Sequence, residues 1–261
     1  MIRALTTAAT GMEAQQTNIE RISNDLANAN TDGYKRSRNE FQDLMYHTIK
    51  EPGGATGASS QSPVGIQIGM GVKVGASHKM FEPGPTRMTY NPYDWMIEGN
   101  GFFGVQMPAG DIAYTKTGVF HRDSQGRIVL GNGAQLIPAI QVPANTTGIN
   151  VTQSGEVKVT TATEGEATVG QLQLVTFQNP EGLSAIGNSL YKPTAGSGTP
   201  LQGMPGENGL GFIQQGAVEG SNVNVANSMV DMIQTQRTYE MNTKVMGVAD
   251  SMLNATVNVV K

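Results

Sequence analysis

Two stretches of the chain repeat their apolar positions every seven residues, and they lie at its two ends. Near the N-terminus Leu5, Met12, Ile19 and Leu26 keep this interval, with Ala8, Gln15 and Ile22 three residues behind the first three. That spacing is an a/d seam and predicts a helix over the first 28 residues. At the other end Val225, Met232, Tyr239, Met246, Leu253 and Val260 recur in the same way, and Met229 and Ile233 widen the stripe at its start. Asn222 or Asn224 in "SNVNVA" is a candidate N-cap. The seam permits an intramolecular helix pair or self-association through the same face. Burying an apolar side chain of this size contributes about 1.5–3 kcal/mol. Ordering the backbone costs about 1–2 kcal/mol per residue. Four such side chains do not offset a helix of this length, so the terminal helices are expected to need more partners than each other.

Between the ends the period changes. Residues 51 to 63, "EPGGATGASSQSP", read as a flexible loop, and "VGIQIGMGVKVGA" behind it alternates as a strand does. Short strand candidates follow, among them "DWMIE", "GFFGVQM", "GRIVLG", "EVKVTT", "GQLQLVTF" and "GFIQQGAVE", each bounded by Gly, Pro or Asn. No helical period is visible over 64 to 218. The expected fold is a mainly β central domain with discontinuous N- and C-terminal α-helices forming a coiled-coil-like helical domain: α+β and multi-domain. The expected division is 1–45 with 220–261 as the helical part, 46–74 as an extended arm, and 75–219 as an all-β domain.

Composition narrows the functions. With 261 residues, 17 Lys and Arg in scattered positions and a net charge of −4, the chain has no basic face for nucleic acid. The absence of Cys excludes disulfides, thiolate metal sites and Cys nucleophiles. "MIRALTTAATGMEAQQTNIE" lacks the apolar core of a cleaved signal peptide, and no stretch is long and apolar enough for a membrane span. The motif "NANTDG" (Asn28, Asn30, Asp32, Gly33) copies half a calcium loop, but Asn39 stands where the bidentate Glu is required. "GNGFFG" carries G-x-G-x-x-G, yet Pro108 and Gly110 forbid the helix a nucleotide fingerprint must open; it reads as a bend between strands. His47, His78 and His121 have no metal spacing, and no nucleophile elbow is present. No catalytic, cofactor-binding or metal residue is singled out, and no cofactor is expected.

The segment "NDLANANTDGYKR" (24–36) ends the first helix in turn-forming residues and then presents Tyr34, Lys35 and Arg36. It resembles the N-terminal signature of the bacterial flagellar axial proteins, the family of rod and hook subunits. "TYNPYDWMIEGNGFFGVQ", "YTKTGVFHRDSQGRIVLGNG" and "EGSNVNVANSMVDMIQTQRTYEMNTKVM" resemble further segments of that family, in the same order, with Trp95 where an aliphatic or small residue is usual. The length and residues 46–72 resemble the distal rod members more than the hook members. The resemblance implies a structural subunit, not an enzyme, that self-assembles into a hollow helical shaft carrying torque from motor to hook. It implies as partners further copies of the chain, neighbouring rod proteins and hook protein, the surrounding basal-body rings and the type III export apparatus, with no membrane insertion. It places the chain in the flagellar basal body, crossing the periplasm and exported without a cleaved signal peptide. Under it the apolar heptad positions become the assembly seam. The signature turn is Asn24, Asn28, Asn30, Thr31, Gly33, Tyr34 and Lys35, with Tyr34, Lys35 and Arg36 free to meet a neighbour. Another rod or hook-type protein, or a monomeric β-rich module binding carbohydrate or peptide, are the alternatives.

Overall fold

A computed structural model describes residues 2–52, 55–57, 60–61, 64–161 and 165–259. The chain is mostly β, with one long helix near each end, α1 (Ile2–Ala27) and α2 (Val225–Val259). It divides into two compact units. One holds residues 1–26, 37–78 and 224–261, the other 27–36 and 79–223.

In the first unit α1 and α2 touch in antiparallel order: Asn18 meets Thr235, and Met12 meets Thr243. Asn224 caps α2, its Oδ1 accepting the Asn227 backbone N–H at 3.1 Å. The rest of this unit is a two-stranded ribbon. Ser37–Asp43 pairs with Val72–Lys79, Tyr46–Lys50 with Ile66–Gly69, and Ala55–Gly57 with Ser60–Gln61, each pair nested inside the one before. The stretch 51–63 was expected to be a loop. The last of these pairs lies within it, and residues 53, 54, 58, 59, 62 and 63 fall outside the described residues.

The second unit is built on a nine-stranded sheet whose centre is Phe102–Gln106. One edge of this strand pairs with Ile112–Thr115. Its other edge is shared: Gln135–Ile137 takes the half from Gly104 to Gln106, and Leu174–Thr176 takes Phe102 and Phe103. Both faces are covered, so "FFGV" is buried at every position instead of alternating. Phe103 and Val105 enter a large core with Trp95, Phe120, Leu136, Val157, Leu174 and Ile213. Phe102 enters a smaller aromatic one with Tyr114, Phe177 and Tyr191, where Tyr114 and Phe177 meet edge to face at 4.9 Å. "GNGFFG" is the expected bend, lying between the strands Trp95–Glu98 and Phe102–Gln106.

The two units differ in what holds them. In the helices the buried apolar side chains are only Ala8, Ala14, Ile22 and Ala249 among the described residues. In the free monomer, limited proteolysis should therefore trim residues 2–26 and 225–259 well before it cuts the β unit. Strong hydrogen-exchange protection along both helices of a verified monomer would contradict this.

Candidate assembly surfaces

The signature segment is locked, not presented. Residues 27–36 belong to the β unit. The turn starts with Thr31 N–H donating to the Asn28 carbonyl at 3.1 Å. Gly33 has φ +69°, and a Cβ there would meet the Thr117 backbone nitrogen at 2.8 Å, so only glycine fits. Its N–H donates to the Glu219 carbonyl at 2.7 Å. Lys35 is fully buried and its Nζ reaches Glu219 Oε1 at 2.6 Å and the Glu82 carbonyl at 2.7 Å. The same Oε1 accepts the Gly84 N–H at 2.8 Å. Lys116 Nζ stands 3.9 Å from Glu219 Oε2, too far for a hydrogen bond, and donates to the Gly99 carbonyl at 3.1 Å. Asn222 completes the clasp: its Oδ1 accepts the Arg36 N–H at 2.7 Å and its Nδ2 donates to the Met80 carbonyl at 2.9 Å.

Tyr34, Lys35 and Arg36 were expected to be free for a neighbour; the structure corrects this for Lys35, while Tyr34 is half-buried and Arg36 exposed. Lys79 sits 4.3 Å from the Tyr34 ring centroid, Lys35 is inside, and Arg36 pairs with Glu82 at 3.0 Å. Asp32, the one carboxylate of the calcium-like loop, pairs with Arg87 at 2.6 Å. Asn30 is exposed. Asn24 is also exposed, on α1 in the other unit.

The heptad positions divide. Ile22 is buried, and Leu5, Met12, Ile19, Leu26, Met232, Met246 and Leu253 are half-buried. Val225, Met229, Ile233 and Tyr239 are exposed; the first three continue into a bare stripe with Val230, Met241, Val245, Val248 and Met252, while Tyr239 lies on the side of Met232 and Met246. Polar and small groups are among the contacts where α1 and α2 touch. Asn18 Nδ2 donates to Thr235 Oγ1 at 3.2 Å, and Gly11 lies against Asn242. From Asn18 the polar chain continues through Arg21, which pairs with Asp25 at 3.0 Å. Asp25 accepts the Ser37 N–H at 3.1 Å, so the ribbon's first residue is tied to α1.

The ribbon beyond its base has two unlike faces. Opposed residues share a face, and neighbours along a strand alternate. His47 opposes Ile68, Tyr46 opposes Gly69, and Thr48 opposes Gln67. One face is therefore Tyr46, Thr48, Gln67 and Gly69. The other is His47, Lys50, Ile66 and Ile68, with Ile49 in the bulge and Met45 and Met70 just beyond the paired residues; Met45 is 86% exposed and Ile49 57%.

Comparison with known proteins gives this arrangement a family. A family described as flagella basal body rod protein matches residues 5–35, the flagellar hook protein FlgE/F/G D1 domain matches 96–159, and the flagellar basal body rod FlgEFG C-terminal family matches 214–259. The flagellar basal-body rod protein FlgG of Caulobacter vibrioides is 44% identical over 98% of this chain and 98% of its own. That of Borreliella burgdorferi is 42% identical over 99% and 98%, and that of Bacillus subtilis 33% over 99% of each. The chain belongs to the FlgG family of flagellar basal-body rod proteins. It is a structural subunit of that rod. In this FlgG-family chain the N-terminal match ends at Lys35, and the C-terminal match, from residue 214, includes Glu219; the two families meet in one ion pair.

Sequence reasoning missed Glu219, Lys116 and Asn222 as clasp residues, and missed the Asp25–Ser37 tie. Glu219 offered one signal, a lone carboxylate in the apolar strand Ala217–Glu219. Removing Lys35 leaves that carboxylate buried without its close partner, so Lys35→Met should destabilise the β unit by about 3–5 kcal/mol in urea titration. Lys116→Met should cost far less. Burial first, then the charge of Lys35, outweigh the attraction of Glu219 and lower the Lys116 amine from 10.5 to about 8. Above that value the folded chain releases a proton the unfolded chain still holds, so this lysine's contribution to stability rises with pH. Tyr191, raised to about 12 by burial and by Glu219, opposes this only above pH 10. The urea midpoint of wild type relative to Lys116→Met should climb from pH 8 to 10; a constant difference would refute it.

Proposed function

We propose that this rod subunit polymerises with further copies of itself into the hollow, torque-carrying shaft of the distal rod, beside other rod proteins and hook protein and within the basal-body rings. Export through the type III apparatus without a cleaved signal belongs to the same reading. One observation carries it: the helix-and-ribbon unit exposes two apolar faces of different shape, the stripe on α2 and one side of the ribbon. Unlike faces that are both bare suit a heterologous contact, which repeats without closing and so builds a filament. In this reading the helices form the inner tube through a coiled-coil-like seam, and the polar contacts Asn18–Thr235 and Gly11–Asn242 set its register. The ribbon at 46–74 acts as an arm that braces neighbouring copies against sliding.

Ile68→Asp on the ribbon and Ile233→Asp on α2 test the two faces separately. A carboxylate buried without a partner costs several kcal/mol. Each variant should therefore lose sedimentable polymer while Trp95 fluorescence of the monomer melts as in wild type. A photo-crosslinking residue at position 68 should yield multiples of the chain mass in wild-type polymer. Normal rods and motility from Ile233→Asp would remove α2 from the interface.

A further inference from the structure

The apolar face of the ribbon has two side chains that can carry charge: His47 in its middle and, beyond the bulge at Ile49, Lys50 opposite Ile66. His47 opposes Ile68 directly, with Met45 and Ile49 before and after it on its own strand and Ile66 and Met70 on the diagonals. The paired strand Ile66–Gly69 has no titratable group. On its own strand Tyr46 points to the other face. Lys50, the remaining charge there, opposes Ile66 across an irregularity in the register that leaves Ile49 unpaired. Among the described residues no carboxylate stands on this face to stabilise an imidazolium, and the charge nearest along it, Lys50, is a cation. The imidazole is exposed in the subunit.

We propose that covering this face makes His47 give up its proton, so that assembly through the ribbon is weakened by acid. The proposal rests on the reading above, that another copy of the chain covers the ribbon. The size of the face supports that occupant. Five apolar side chains, a histidine and a lysine are far fewer than the roughly 20–30 residues a side of an interface that is stable alone. Such a face holds only as one contact repeated along a polymer. Once covered, an imidazolium would be a desolvated cation with two N–H donors among methionines and isoleucines, and burial disfavours that form. A neutral imidazole has one donor and one acceptor and is tolerated there. The sign follows from linkage: the free subunit binds more protons than the docked one, so docking is strongest at high pH. Docking is lost as pH falls through the range, pH 5 to 8, in which imidazoles change charge.

The test uses the full-length chain. The critical concentration for polymer formation is measured by sedimentation from pH 8 to pH 5, and Trp95 fluorescence reports at each pH that the β unit is folded. Wild type should show a critical concentration rising by up to about tenfold per pH unit in the acid half of the range, the limit for one linked proton. His47→Gln stays neutral and should hold it constant, and His47→Leu should do the same without any donor. His121→Gln, in the other unit, should follow wild type. A wild-type polymer equally stable from pH 8 to pH 5 overturns the proposal. So does an acid loss in both His47→Gln and His47→Leu that matches wild type. Failure of the underlying reading looks different: Ile68→Asp would then assemble normally at pH 8.

Discussion

The β unit depends on the Glu219 carboxylate and the groups it collects. Lys35 arrives from just after the first helix, Gly84 from just after the ribbon returns, and Lys116 from within the sheet. None is near another in sequence; the two lysines each add a backbone carbonyl, Glu82 for Lys35 and Gly99 for Lys116. A buried carboxylate left without cations would cost more than the pairing gains, so once one partner is in place the others are required. The contact therefore does more to specify which segments meet than to add net stability. Its result is that the segment preceding the ribbon, the segment following it, and the segment preceding α2 are held together by side chains 135 to 184 residues apart.

The helix-and-ribbon unit follows the opposite logic. Its heptad side chains are mostly only half-buried, polar and small groups join the two helices, and many larger apolar side chains stay exposed on α2 and on the ribbon. A folded monomer that keeps its best hydrophobic surface in reserve is poorly stabilised alone and well prepared for neighbours. The β unit supplies the stability, with Trp95, Phe103 and Phe120 at less than 1% exposure. The division of labour explains why an aromatic-poor sequence can hold a firm core: Phe102, Phe103, Phe120, Phe177 and the lone tryptophan are all buried in the β unit.

The helices, the β character of the middle and the absence of a nucleotide loop at "GNGFFG" were legible because each rests on local pattern. A seven-residue period, alternation, and Pro108 with Gly110 can all be read within a short window. The clasp was not legible, because Lys35 beside Tyr34 and Arg36 looks like a solvated cluster until Glu219 is placed beside it. Asp25 gave no such signal: a carboxylate in the last turn of a helix is electrostatically misplaced, and the Ser37 N–H and Arg21 show what holds it there. The ribbon's facing was half legible: "GIQIGM" shows alternation, but which residues share a side requires the register with Tyr46–Lys50.

The nesting of the ribbon has a consequence for how such chains can diverge. Its paired strands fold back on each other, so its length is set at the tip and its ends stay where they are. Lengthening by two residues on each strand adds about 6–7 Å of reach and returns every side chain to its own side. Adding a single residue to one strand inverts everything beyond it, exchanging Ile68 for Gln67 on the greasy side. Changes in arm length among relatives should therefore come in even, matched steps or be absorbed at a bulge such as the one between Thr48 and Lys50. The arm is in this sense a ruler with graduations two residues wide, free to lengthen over evolutionary time without disturbing the subunit that carries it.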